Sequence, residues 1–148
     1  MNISPLILKD SQKAAELHQK AFLKGWEATV FEEFLHNPLT FGMKIKEDQT
    51  LAGYVLWRKI EDEAEILTLV VEPKHQRKGI GRTLMTHLYT TLKETGVTRL
   101  FLEVAEDNVE ALSFYRNHGF TFLSKRPHYY PRGANRYISA LNFVKDLI

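Results

Sequence analysis

The sequence predicts a mixed α/β (α+β) domain: one mostly antiparallel sheet of about seven strands with four helices, in the order β-α-α-β-β-β-α-β-α-β-β. Three observations predict it. Between residues 40 and 73 the apolar pattern runs at period two through FGMKIKED, TLAGYVLWRKI and EAEILTLVVEP, the alternation of strands. Short polar turns at 47–49 and 61–63 separate them, which predicts antiparallel hairpins. The period then switches: Ile80, Leu84, Leu88 and Leu92 recur every four residues with Met85 beside them, before TRLFLEVA at 98–105 returns to a strand pattern. A strand–helix–strand run of this kind crosses over, so the strands at 64–72 and 98–105 should lie parallel.

The elements follow in chain order. Residues 3–8, ISPLIL, read as a short strand, and Pro5 makes it an edge strand because proline cannot donate to a ladder. Asp10 or Ser11 can cap a helix running to about Lys24, with Ala14, Leu17, His18, Ala21 and Phe22 on one face. Gly25 breaks it. A second helix over 27–36 presents Val30, Phe31, Phe34 and Leu35 and stops at Asn37-Pro38. Of the three strands that follow, the one at 64–72 is apolar almost throughout and so should be central and covered on both faces. The helix from 79 ends at Gly96. Asp107 offers the next N-cap, with Glu110 three residues on in a capping-box pattern, and that helix ends at Gly119. FTFLSKR and RYISALNFV are the last strands, joined by a loop PHYYPRGA at 127–134.

Bulk properties narrow the function. With 148 residues the chain fits a single domain, 1–148, and buries about two thirds of its unfolded surface. Apolar content of 44% and charged content of 26% are those of an ordinary globule. A net charge of +2 without a basic tail argues against nucleic acid as partner. No stretch approaches the ~20 apolar residues of a membrane span, and the first residues do not read as a signal peptide. The absence of cysteine excludes disulfides and thiolate chemistry. The expectation is a cytoplasmic monomer or small homo-oligomer. The six histidines, at 18, 36, 75, 87, 118 and 128, are scattered, so no metal site is expected. G-x-S-x-G, the serine hydrolase elbow, is missing.

HQRKGIGRTLM, residues 75–85, is the informative stretch. A strand feeding a helix through a glycine turn presents free backbone N–H groups at the positive end of the helix dipole. Glycine lets the backbone close on a guest. Arg77, Lys78 and Arg82 add full charges. The guest such a turn suits is a phosphate or pyrophosphate. A tight strand-to-helix connection with solvated basic residues is equally consistent with Gly-x-Gly alone. Gly-Lys-Ser/Thr is missing, which excludes the nucleoside-triphosphate loop; the missing third glycine of G-x-G-x-x-G and the antiparallel strands before the turn argue against a dinucleotide fold.

Gln76-Arg77-Lys78-Gly79-Ile80-Gly81 resembles the Q/R-x-x-G-x-G/A turn of the GNAT N-acetyltransferases, and DNVEALSFYRNHGF resembles their second signature, N-x-x-A-x-x-F/Y-Y-x-x-x-G-F. The order of elements is also that of the GNAT fold, so the resemblance covers about the whole chain. AFLKGW, DEAEILTLVVEP, LEVAEDNVEALSFYRNHGF and RPHYYP are similar to the RimI type within that family, bacterial enzymes that acetylate the N-terminal amine of a ribosomal protein.

The resemblance implies acetyl-CoA as co-substrate, lying between two parallel strands that splay apart. It implies that Leu69, Val70 and Val71 pair their backbone with the pantetheine arm. Gln76, Arg77, Lys78, Gly79, Ile80, Gly81 and Arg82 would wrap the pyrophosphate, with Thr83 adding a hydroxyl donor. Asn108 would hydrogen-bond the cofactor; read by itself, it could equally be a helix-start residue. Glu103 would be the proton acceptor. Taken alone, it fits a carboxylate facing solvent or paired with a lysine. Tyr115 would be the acid at the sulfur; alone, it fits a buried core tyrosine. The acceptor peptide would enter between Trp26 and the 126–134 loop with Tyr129 and Tyr130, which could otherwise be plain packing. Asn135 and Arg136 stand in a segment where the RimI type usually carries an acidic residue. A GNAT enzyme for a lysine or a small amine, and a catalytically silent acyl-CoA-binding module, are the competing readings.

Overall fold

The computed structural model describes residues 2–76 and 78–148. The strands are β1 (Asn2–Pro5), β2 (Thr40–Glu47), β3 (Thr50–Ile60), β4 (Glu63–Val71), β5 (Arg99–Ala105), β6 (Thr121–Pro131) and β7 (Tyr137–Asp146). The helices are α1 (Ser11–Ala21), α2 (Ala28–His36), α3 (Ile80–Glu94) and α4 (Val109–Asn117). The strands form one sheet in the order β1-β2-β3-β4-β5-β7-β6. Every pairing is antiparallel except β4 with β5. Both the expected order and the expected parallel pair are therefore present.

Helices cover both faces of the sheet. Ala14, Leu17 and Phe31 pack with Tyr54, Leu56 and Val70 on one side. Ile80, Leu84, Leu88 and Leu92 of α3 pack with Ile45, Val55, Leu100 and Leu102 on the other. Each such buried side chain contributes about 1.5–3 kcal/mol relative to exposure, so the four-residue period seen in the sequence is what seats α3.

Four details depart from the sequence expectations. The first strand ends at Pro5, and residues 8–10 make a 3-10 turn instead. Asp10 caps that turn, accepting from the Ile7 N–H at 2.8 Å, and pairs with Lys44 Nζ. It gives α1 no side-chain cap, and α1 ends at Ala21, short of Lys24. Asp107 is not the N-cap of α4. Asn108 is, its Oδ1 accepting from the Ala111 N–H at 3.2 Å, and Asp107 instead holds Arg132. Residues 127–131, expected in a loop, continue β6. An edge strand tolerates Pro127 and Pro131, and the register shift between Arg126 and Tyr130 takes up the irregularity.

Two features of β4 position the site. First, Leu56 pairs with Thr68 but Trp57 pairs with Ile66, so Leu67 is an extra residue in a β-bulge. Strict alternation would keep residues 66, 68 and 70 on one face. The bulge resets it: Ile66, Leu69 and Val71 face the α3 core, while Val70 packs toward α1 and α2. Second, β4 and β5 pair only at Glu63–Arg99, Ala64–Leu100 and Glu65–Phe101. Beyond Glu65 the strands part.

Candidate active site

The opening between β4 and β5 is a cleft of about 620 Å³. Residues 66–69 of β4 form one wall and residues 102–105 of β5 the other. Asn108, Ala111 and Tyr115 of α4 line it, as do Trp26 and its neighbours between α1 and α2, and Tyr130 to Arg132 at the end of β6. Of the sequence-predicted residues the cleft brings together Trp26, Leu69, Glu103, Asn108, Tyr115 and Tyr130. A second hollow, about 560 Å³, lies along β1 and β2; its lining holds no titratable side chain.

Glu103 sits mid-strand and half-buried. The Tyr130 hydroxyl donates toward its Oε1 at 3.4 Å, and an Arg126 guanidinium nitrogen lies 3.6 Å from Oε2. Its neighbours are thus a phenol and an arginine, with no lysine among the described contacts, and it keeps a face open to the cleft. Burial first, and Glu103 second, push the Tyr130 phenol up to about 12, so it remains a neutral donor. Tyr115 is buried against Phe114 and Phe120. Burial, with Tyr89 adding to it, raises its pKa above the ordinary phenol value. Asn108 lines the cleft and spends its Oδ1 on the α4 cap.

The glycine turn lies at the end of β4, outside the cleft lining. Gly79 caps α3 with φ +79, a left-handed conformation that favours glycine. Gly81 serves contact as well as access: a Cβ there would lie 3.2 Å from Phe114 Cε1 of α4. The first turn of α3 directs its amides along the helix axis. Gln76 Nε2 reaches back to the Val71 carbonyl at 3.4 Å. Thr83 directs its hydroxyl hydrogen to the Gly79 carbonyl at 2.8 Å, so here it reinforces the turn. Arg77 lies outside the described residues.

The remaining predicted residues stand apart. Val70 points its side chain into the α1–α2 core, and only its backbone can serve a ligand. Tyr129 is exposed, edge-on to Tyr130 at 5.0 Å and under Arg126 at 4.4 Å; it does not line the cleft.

Sequence reasoning missed three contributors. His18, read as one residue of an apolar helix face, lines the cleft and bonds Thr68 Oγ1 at 3.1 Å. Arg132 and Asp107 form a two-point pair at 2.8 and 3.0 Å that ties the β6–β7 hairpin to the loop before α4. Their partners lie 50 and 25 residues away in the chain, beyond any local pattern.

A cleft lined by Glu103, by the phenols of Tyr115 and Tyr130, and by Asp107, which Arg132 already holds, suits proton transfer beside an open strand edge. Comparison with known proteins gives the same direction. Residues 11–120 match the profile of the Acetyltransferase (GNAT) family. The [ribosomal protein bS18]-alanine N-acetyltransferase of Salmonella typhimurium is 32% identical over 134 residues, 87% of this chain and 86% of that one. The Escherichia coli K12 enzyme of the same name is 32% identical over 139 residues, 90% of each chain. Among solved structures, the ribosomal-protein-S18-alanine N-acetyltransferase from Escherichia coli superposes with a TM-score of 0.91 at 27% identity, covering 99% of this chain and 93% of that one. Ard1 from Thermoplasma volcanium shares the fold, with a TM-score of 0.89 at 22% identity, covering 99% and 97%.

Proposed function

The chain belongs to the GNAT family of acetyltransferases, and from that premise we propose that it acetylates the N-terminal α-amine of a protein, a ribosomal protein with N-terminal alanine as in the relatives named above. One observation carries the reading: the β4–β5 ladder stops at Glu65 and Phe101, and the opened cleft is lined by both Glu103 and Tyr115.

The residues fit acetyl-CoA. Past Glu65, β4 has no strand partner on its β5 side among the described residues, so the backbone of Leu69, Val70 and Val71 is available to the amides of a pantetheine arm. Gln76, Lys78, Gly79, Ile80, Gly81 and Arg82, with Arg77, would take the pyrophosphate at the start of α3.

Glu103 accepts a proton from the acceptor amine, directly or through water, and leaves the nitrogen lone pair free to attack the thioester carbonyl carbon. The N–C bond forms as the C–S bond breaks, and the second proton, shed by the acylated nitrogen, passes to the departing thiolate, so that the amide and the free thiol result. Tyr115 donates a hydrogen bond to the departing sulfur. A thiol has a reference pKa of about 8.5 and a phenol about 10, and burial raises Tyr115 further. Full transfer of the phenolic proton is therefore uphill, and the role this favours is stabilisation of the developing thiolate charge.

Acceptor choice also has an energetic side. An α-amine has a reference pKa about 2.5 units below lysine, so deprotonation near neutral pH costs roughly 3.4 kcal/mol less. A single carboxylate suffices more readily for a chain terminus. The test is mass spectrometry after incubation with acetyl-CoA and a panel holding an N-terminal-alanine peptide, the same peptide blocked at its terminus but carrying lysine, and a polyamine. Acetyl found on the terminal alanine supports the reading; acetyl on lysine or polyamine alone sinks it.

A further inference from the structure

We propose that His18 is a positioning residue for the acceptor side of the cleft, tying the 22–27 loop to Thr68 of β4 and so fixing the wall that meets the acceptor. The inference rests on the reading of the site as an α-amine acetyltransferase.

Both ring nitrogens of His18 are engaged. Nδ1 accepts the Trp26 N–H at 2.9 Å, which requires a lone pair there and puts the ring hydrogen on Nε2. Nε2 then donates to Thr68 Oγ1 at 3.1 Å. The ring stacks on the Trp26 indole, with centroids 4.4 Å apart and planes 15° apart, and lies 4.5 Å from the Phe22 ring. Burial pushes the imidazole down to about 4, which keeps it neutral and the Nδ1 lone pair available.

The loop needs such a tie. Gly25 folds it back tightly on α1, since a Cβ there would meet Gln19 Cα at 2.4 Å. Gln19 Nε2 holds the Trp26 carbonyl at 3.0 Å, but that bond is exposed and runs to α1. Among the described residues, the bridge through His18 is the side-chain hydrogen-bonded link from this loop to β4. The bulge at Leu67 makes it possible, because it turns Thr68 toward α1. His18, Trp26 and Thr68 all line the cleft opposite Glu103. The bond to Thr68 is buried, and through it the loop that carries Trp26 is joined to a strand that walls the site.

The test separates positioning from stability. Thr68→Val removes the acceptor at nearly constant volume, and Thr68→Ser restores it. His18→Phe removes both bonds and keeps the stacking. Steady-state kinetics with an N-terminal-alanine peptide are expected to show KM for the peptide raised about tenfold in Thr68→Val, the scale of one lost buried hydrogen bond, and at least as much in His18→Phe, which loses two. KM for acetyl-CoA should stay at the parent value in every variant, and Thr68→Ser should return KM for the peptide to its parent value. If His18→Phe does not fold, the Thr68 pair decides alone. Lowered melting temperatures with an unchanged peptide KM overturn the positioning role while the parent's activity stands. A parent that acetylates no α-amine overturns the underlying reading, and this inference with it.

Discussion

The Tyr130 hydroxyl points at Oε1 of Glu103 from 3.4 Å, across 27 residues of chain. The contact is long for an O–H···O bond, so it orients the carboxylate without closing it to an incoming amine. Arg126 holds the other oxygen from 3.6 Å. The carboxylate is thus aimed from two sides by groups of the same edge strand.

Glu103→Gln keeps the shape of this arrangement and removes the proton acceptor. We expect kcat to fall about 10²–10⁴-fold, the usual contribution of a general base, with calorimetric affinity for acetyl-CoA unchanged. A variant whose pH–rate profile overlays the parent's would remove Glu103 from the role.

Tyr115→Phe leaves the packing against Phe114 and Phe120 in place and deletes a donor to the sulfur. Loss of such a donor costs about 10²–10³ in kcat in favourable cases. Because charge builds on sulfur only as the C–S bond breaks, kcat should drop while acetyl-CoA affinity holds. Replacing the thioester by one with a more acidic thiol leaving group should shrink the defect; equal defects with both donors would contradict the role.

The two glycines of the turn should respond differently. At Gly79 an added Cβ meets nothing within 4 Å among the described residues, and the strain there comes from φ +79. At Gly81 the conformation is ordinary, and the added Cβ presses on Phe114. Gly79→Ala should therefore lose about 1 kcal/mol of stability, a drop of roughly 2–4 °C in melting temperature for a chain of this size. Gly81→Ala should push α3 and α4 apart and weaken acetyl-CoA binding by titration calorimetry more than it lowers Tm. Parallel losses in both variants would show that the distinction is wrong.

The readings that succeeded came from periodic or local signals. Leu84, Leu88 and Leu92 announce α3 because burial on one helix face imposes the four-residue period, and the hairpins follow from polar breaks between alternating runs. What stayed hidden depends on where hydrogen-bond ladders end. Ile66-Leu67-Thr68-Leu69-Val70 is apolar in both strand phases, so neither the bulge at Leu67 nor the turning of Thr68 leaves a mark in it. The parting of β4 from β5 after Glu65 entered only through the family resemblance. Asp107 and Asn108 are adjacent, equally good capping residues, and the choice between them is made by Arg132, 25 residues on. Tyr129 and Tyr130 look alike in sequence, yet strand alternation at the edge sends one to Glu103 and the other to solvent.

The pH dependence of stability carries the signature of His18. Its pKa is 6.5 when the chain is unfolded and about 4 when folded, through burial. Between these values the unfolded chain binds the proton and the native state does not. Stability is thus fully present above pH 6.5, falls as pH drops from 6.5 toward 4, and the loss is complete below 4. The full loss is on the order of 3 kcal/mol, at 1.36 kcal/mol per unit. His118, lowered by burial and by Arg82 and Lys145, acts in the same sense. Asp107, held by Arg132 below its ordinary 3.8, adds its loss at lower pH. Denaturant unfolding of the parent and of His18→Phe at a series of pH values from 7.5 to about 4 isolates what His18 contributes. The parent should lose stability across the series more steeply than the variant, and curves that stay parallel would show that His18 is not held neutral by burial.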